Sequence, residues 1–286
     1  MSTRSNPPII VIGMHRSGTT LLVHLLSALG IFTGWRRDPF GEALFFQFLN
    51  EWLLHQTGGA WDNPASFRTM FADRDAYCQV IDYLRDQLKC PRNISYLGPR
   101  NYLASRSLMA IEMPWAWKDP RNTFTLPLWL ELFPDAKVIH IRRHGVDVAN
   151  SLRMRCDQLF QQEKQRYRRW RRAHGVWPKR RRFSLSPRCA TLEGGMSLWE
   201  LYLSEADAQV SELGDRVCEL RYEEILQEPN AAVETLARFC GSNARTPEIS
   251  AVVETIEPDR AFAYKQDSKL CAFADDHATR LAAHGY

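Results

Sequence analysis

The sequence predicts an α/β fold of three layers, a central parallel sheet of about five strands with helices on both faces, and three observations carry that reading. Short β-branched runs alternate with longer segments of helical periodicity, the pattern of parallel strands joined by helical crossovers. The first run, Ile9 to Ile12, leads through a glycine-bracketed polar turn directly into a helical pattern. A later run, Val138 to Ile141, likewise ends in polar residues and Gly145 before another helical pattern.

Taken in order, Ile9, Ile10, Val11 and Ile12 lie between Pro7–Pro8 and Gly13 and read as a buried strand over 9–13. Leu21, Leu22, Leu25, Leu26 and Leu29 recur at helical spacing, with Gly30 as a stop signal, giving a helix over 19–29. Further strands are expected over 94–97, 115–118, 137–142 and 217–221. Further helices are expected over 42–56, 74–89, 124–132, 146–171, 195–213 and 229–241. The 286 residues, 45% of them hydrophobic, can bury a full core. Without an internal repeat or a Pro/Gly/Ser linker they read as a single domain over 1–286. The N-terminal MSTRSNPP has no apolar core of a signal peptide, and no run approaches the roughly eighteen apolar residues of a membrane span. The chain is therefore expected to be cytoplasmic. Its seven scattered cysteines show neither CxxC nor metal-ligand spacing, so a reduced compartment and no metal site are expected.

The turn after the first strand is the chemical clue. Gly13 and Gly18 stand five apart, the glycine frame of a P-loop-NTPase-like strand–loop–helix unit, in which backbone N–H groups and a helix N-terminus face an anion. Arg16, Ser17, Thr19 and Thr20 add side-chain donors, and His15 sits within the loop, placed to orient a phosphate. The plainer alternative is a tight turn in which Thr19 only caps the helix. A nucleotide triphosphatase would carry Lys at position 19, followed by Ser or Thr for Mg²⁺; here the position is Thr, and the cation, Arg16, lies three residues earlier. Farther on, Arg143 stands at the carboxyl end of the strand over 137–142, the edge where parallel α/β sheets bind ligands. Ser151, eight residues later, lies where it and the guanidinium could grip one phosphate from two sides.

These residues resemble the sulfotransferases that use 3′-phosphoadenosine 5′-phosphosulfate (PAPS), whose 5′-phosphosulfate loop reads [KR]SGTT; here it is RSGTT, Arg16 to Thr20. KVIHIRRHGVDVANSL, Lys137 to Leu152, is similar to the family's second signature, and registering on Asp147 and Ser151 selects Arg143 rather than Arg142 as its 3′-phosphate arginine. WKDPR, Trp117 to Arg121, is similar to a segment of the bacterial and carbohydrate-type members. LWELY, Leu198 to Tyr202, and LRYEEILQEPNAAVETLARFCG, Leu220 to Gly241, resemble the family's late helix and its YEDL-EP-F-G stretch. The ordered set spans about residue 8 to about residue 241.

The resemblance implies that PAPS is the co-substrate, with no metal. It implies that the product PAP is held by Arg16, Ser17, Gly18, Thr19, Thr20, Arg143 and Ser151, with Tyr222 near the adenine. Sulfuryl transfer needs a base for the acceptor proton and cations for the leaving phosphate. Arg16, inside a cradle of helix N-terminal N–H groups, is the residue expected to neutralise the leaving oxygen. Glu42 matches the place where many non-animal members carry a Glu, and it is the first candidate base; its alternative is an ordinary acid in a helix first turn. Lys118 matches the lysine that approaches the transferred group, with Asp119 as another candidate base. Two departures narrow the acceptor. Leu21 stands where the small-molecule cytosolic members carry an adenine-stacking Trp, and no RKG-type loop is found, Arg260, Lys265 and Lys269 being only positional stand-ins. The acceptor is expected to be a small molecule or glycan: a carbohydrate, lipid-linked or natural-product hydroxyl or amine.

Charge is unevenly placed. Lys164 to Arg182 holds ten Lys or Arg and no acid, whereas the chain as a whole is only +4, so the remainder is net acidic. This 164–182 segment reads as an insertion near the acceptor site that attracts an anionic acceptor, a membrane surface or a nucleic acid. The alternative is a solvated basic face. Two rival functions stay open on the sequence: a phosphate-binding-loop kinase, which would need ATP, Mg²⁺ and a metal-holding Asp, and a nucleic-acid or membrane-surface binding protein built on the basic segment.

Overall fold

The computed structural model describes residues 6–243 and 246–286. In chain order its elements are β1 (Ile9–Gly13), α1 (Thr19–Ala28), α2 (Leu44–His55), α3 (Arg74–Gln87), α4 (Ile94–Ser105), β2 (Ala116–Lys118), α5 (Asn122–Leu132), β3 (Lys137–Arg142), α6 (Gly145–Trp170), α7 (Leu192–Val210), β4 (Val217–Arg221), α8 (Tyr222–Gln227), α9 (Pro229–Cys240), α10 (Pro247–Glu254), α11 (Ser268–Asp276) and α12 (Ala278–Ala282). They fall into two units, residues 1–143 with 202–261, and residues 144–201 with 262–286.

The first unit carries the sheet, in the order β2-β1-β3-β4 with every pairing parallel. Alternation of side chains sends the residues of β1, β2 and β3 to two covered faces. On one face Val11, Ile139, Ile141 and Leu220 pack with Leu22, Leu25, Leu26 and Leu29 of α1 and Leu236 of α9. On the other face Trp117 stacks on Phe46 of α2, ring centroids 4.1 Å apart and nearly parallel, and meets Trp129 of α5 edge-on at 5.5 Å. Asn122 pins this second layer to the sheet: its amide donates to Val11 O at 3.0 Å while its oxygen accepts from Trp117 Nε1 at 3.1 Å.

Among the described residues the sheet has four strands rather than the expected five. The run expected as a strand over 94–97 forms the start of α4. The edge of β2 that a fifth strand would occupy is already used by Phe32, whose N–H donates to Pro114 O and whose carbonyl accepts from Ala116 N. Tyr96 instead approaches that edge end-on, its hydroxyl donating to Ala116 O at 2.7 Å. Gly98, at φ 72°, then breaks α4 ahead of Pro99.

In the second unit α6 crosses the first part of α7 closely: a Cβ at Gly195 would lie 2.9 Å from Ala149 Cα, so only glycine permits the approach. The His144 ring stacks on Tyr264 at 4.2 Å, Asp147 Oδ1 accepts from Tyr264 N at 2.8 Å, and Arg280 of α12 clasps Glu200 through Nε (2.7 Å) and Nη2 (2.6 Å). All seven cysteines are free thiols. Among the described residues no helix is long and apolar enough to cross a membrane.

The stacked tryptophan should dominate the packing of the first unit. Replacing the fully buried Trp117 by Ala is expected to cost about 3–5 kcal/mol, read as a lowered urea midpoint; a loss under about 1 kcal/mol would contradict the packing described here.

Candidate active site

The loop between β1 and α1 has the backbone its sequence requires. Gly13 (φ 137°), Arg16 (φ 71°) and Gly18 (φ 92°) all take positive φ, Arg16 doing so without the freedom of a glycine. Ser17 is buried and turned inward, its hydroxyl donating to Met14 O at 2.6 Å. Gly13 N donates to Thr123 Oγ1 at 3.2 Å, tying the loop to α5. Gly18 precedes α1 with no side chain capping the helix and no acid in its first turn, so the positive end of α1 is left for an anion. A Cβ on Gly18 would fall 2.1 Å from the Tyr222 ring. The loop therefore lies directly against the start of α8.

Two adjacent arginines at the end of β3 part company. Arg142 faces Asp207 at 3.5 Å and Glu219 at 3.6 Å. Arg143 reaches the loop: its Nη1 donates to Arg16 O at 3.1 Å, and its guanidinium lies 4.6 Å over the Tyr222 ring. Arg16, Gly18, Arg143 and Tyr222, all expected from sequence, are thus neighbours. His15 puts its ring edge-on to Trp61 at 4.8 Å and to Tyr202 at 6.0 Å. Ser151 lies on α6 in the second unit, with Asp147 one turn earlier.

Beside the loop is a buried cluster of four charges. Thr20 Oγ1 (3.0 Å) and Lys118 Nζ (2.8 Å) both donate to the carbonyl of Phe40, which joins the first turn of α1 to the end of β2. Lys118 Nζ also pairs with Glu42 Oε1 at 3.3 Å, and Glu42 Oε2 accepts from Arg121 Nη2 at 3.0 Å and from Gln47 Nε2 at 2.9 Å. Arg121 Nε in turn meets Asp119 Oδ1 at 2.9 Å. Glu42 does not open a helix: it stands two residues before α2, 6% exposed, its N–H held by Asp38 Oδ1 at 2.8 Å. Asn50 supports the far side, donating to Asp119 Oδ2 at 3.1 Å and accepting from Trp129 Nε1 and Thr125 Oγ1.

Burial, opposed by Arg121 and reinforced by the charge of Glu42, pushes the Asp119 carboxyl up to about 6. Burial works against the charge of Arg121 too, but Asp119 and Glu42 more than offset it and hold the guanidinium above its ordinary value. Tyr202, whose hydroxyl donates to Trp61 O at 2.7 Å, is raised well above the usual phenol range by its burial.

Arg121, Gln47, Asn50 and the Phe40 carbonyl had no role in the sequence reading. Arg121 lies within the WKDPR segment, and that adjacency to Lys118 and Asp119 was the one available signal. The others are joined to the cluster only by the folding of distant segments. One further trio, His140, Asp207 and Glu219, brings three donor atoms within 4.8 Å of one another. There Arg142 faces both carboxylates and supplies the positive charge a cation would bring.

The model of the sulfotransferase family matches residues 7–246, and the chain belongs to that family. Among solved structures it is similar to the sulfotransferase domain from the curacin biosynthetic pathway, with 15% identity over 96% of this chain and 98% of that one and a TM-score of 0.51. It is also similar to a sulfotransferase from Alicyclobacillus acidocaldarius, with 18% identity over 98% and 95% and a TM-score of 0.48. The first likeness shows a shared fold. No curated protein sequence gives a significant match.

The raised Asp119 carboxyl carries a pH signature. A group whose pKa is higher folded than unfolded contributes stability that is complete below the unfolded value and is lost as pH rises through the folded one. The stability of wild type relative to D119N is therefore expected to fall by roughly 1–3 kcal/mol between about pH 4 and about pH 7, measured by urea unfolding. A difference that rises over that window would contradict the assignment.

Proposed function

We propose that this sulfotransferase moves the sulfuryl group of PAPS to a hydroxyl or amine of a carbohydrate, lipid-linked or natural-product acceptor and releases PAP. In this reading both units form one sulfotransferase domain over 1–286, supported by a family match that runs unbroken through segments of each. The observation that carries the proposal is the shared Phe40 carbonyl. It holds the anion loop, through Thr20, and the buried Lys118–Glu42 pair in one site.

The residues present fit PAPS. A helix N-terminus with no side-chain cap and no acid in its first turn can take a phosphate. In the proposal Arg16 and the loop backbone from Ser17 to Thr20 hold the 5′ group, with His15 orienting it, while the Ser17 and Thr20 hydroxyls stay on Met14 O and Phe40 O. Arg143 and Ser151 hold the 3′-phosphate, and Tyr222 flanks the nucleotide; the place of Ser151 rests on its spacing from Arg143. When bound, PAPS supplies the sulfuryl group and a phosphate leaving group. Arg16 and Lys118 place positive charge where the leaving oxygen becomes anionic. Glu42 takes the proton of the attacking hydroxyl or amine, giving up one of its three side-chain donors as it does so. The almost complete burial of Lys118 and Glu42 strengthens both effects.

Calorimetric titration with PAP, ADP and ATP, each with and without Mg²⁺, tests the proposal. Metal-independent binding of PAP well above ADP is expected, and R143A should weaken PAP by roughly 10- to 100-fold while affecting ADP little. Preference for ATP with Mg²⁺ would return the phosphotransferase alternative and overturn this reading.

A further inference from the structure

The end of α6 and the segment after it form a spur within the second unit that the sulfuryl-transfer chemistry does not use. The last turns of α6 present Glu163, Arg166, Tyr167 and Trp170 at helical spacing toward the segment 173–181, and the two enclose an open cleft of about 440 Å³. Of the ten Lys and Arg between 164 and 182, eight are exposed. The one carboxylate lining the cleft, Glu163, is already neutralised: Lys179 Nζ lies 2.7 Å from it and Arg181 Nη1 lies 4.0 Å away. The walls therefore remain strongly positive.

The same spur exposes apolar side chains. Val176 is 73% exposed, Trp177 is 70% exposed and Trp170 is 53% exposed. Their placement is fixed from beneath. The Tyr167 ring lies parallel to His174 at 5.7 Å and edge-on to Phe183 at 5.3 Å, His174 Nδ1 lies 3.0 Å from Trp177 O, and Lys179 Nζ sits 4.4 Å over Phe183. The segment is thus a structured tip that holds a Val-Trp pair out into solvent amid cations.

We propose that this spur docks on an anionic phospholipid surface, with Val176 and Trp177 entering the headgroup boundary and the basic cleft taking a lipid phosphate. Charge complementarity selects an anionic partner, since cations at this density are drawn to a negative leaflet over a screening distance of about 8 Å at physiological salt. The paired exposed aliphatic and indole groups select a bilayer over a nucleic acid. A phosphate backbone offers nothing for Val176 to enter, whereas a bilayer interface takes both side chains, and tryptophan favours that boundary. The inference stands apart from the reaction proposed above, because the test reads lipid binding alone.

The experiment is flotation of the full chain with vesicles of phosphatidylcholine alone and of phosphatidylcholine with phosphatidylglycerol, at low and physiological salt, with a duplex DNA of random sequence as competitor. Binding is expected to the phosphatidylglycerol vesicles only, falling as salt is raised. The exposed double variant V176S/W177S should lose roughly tenfold in affinity and R180E/R182E should lose binding altogether, both keeping the wild-type circular dichroism. Three results would overturn the proposal: no flotation with phosphatidylglycerol vesicles, equal flotation with phosphatidylcholine alone, or unchanged affinity in V176S/W177S together with complete displacement by DNA. The last would assign the spur to nucleic acid.

Discussion

The site depends on a single electrostatic constraint, the mutual pairing of two acids and two cations out of solvent. Glu42, Lys118, Asp119 and Arg121 come from the segment before α2 and from the end of β2, and each is less than a tenth exposed. Removing any one of these charges from water alone would cost several kcal/mol, and pairing offsets that cost, more than fully for Arg121 and only in part for Asp119, whose carboxyl stays raised. Together they are neutral, and their geometry is over-determined by Asn50, Gln47 and the Phe40 carbonyl. The cluster therefore sets where the segment 36–43 runs, and through Thr20 it sets where that segment meets the loop.

The loop depends on the sheet in the same way. β1 is buried on both faces, so its carboxyl end is fixed by packing, and the positive φ values at Gly13, Arg16 and Gly18 turn the chain back over that end. Arg143 arrives from the adjacent strand because β3 pairs in parallel beside β1, with Gly13 opposite Ile141. Parallel pairing thus puts the loop and Arg143 at one edge, the general location of ligands in such sheets. Tyr222, at the end of the next strand, completes the edge, and only a glycine at position 18 leaves room for its ring.

Much of this was legible in the sequence because it is local. The strand–loop–helix unit over 9–29, the strand over 137–142 and the helix that follows are written in contiguous periodicity, and the structure has them within a residue or so at each end. The run at 94–97 was not legible. Ile94, Ser95, Tyr96 and Leu97 look like a short strand, and only the prior occupation of the β2 edge by Phe32 denies them a partner. The position of Glu42 was misread for a similar reason. Its sequence context suggests a helix first turn, whereas the Asp38 carboxylate holds its N–H in a turn ahead of α2 and directs the side chain inward. The role of Arg121 required knowing that two acids 77 positions apart meet across the site.

The proposed mechanism turns on the buried Glu42, beside the anion loop, taking the acceptor proton. The most direct measurement is release of PAP from PAPS in the presence of a pool of hydroxyl acceptors, by wild type and by E42Q, with PAP affinity determined on the same preparations. PAP affinity near wild type in E42Q is expected, with turnover lower by roughly 100-fold or more. Wild-type turnover by E42Q at unchanged PAP affinity would contradict it and leave Glu42 as a structural partner of Lys118 and Arg121.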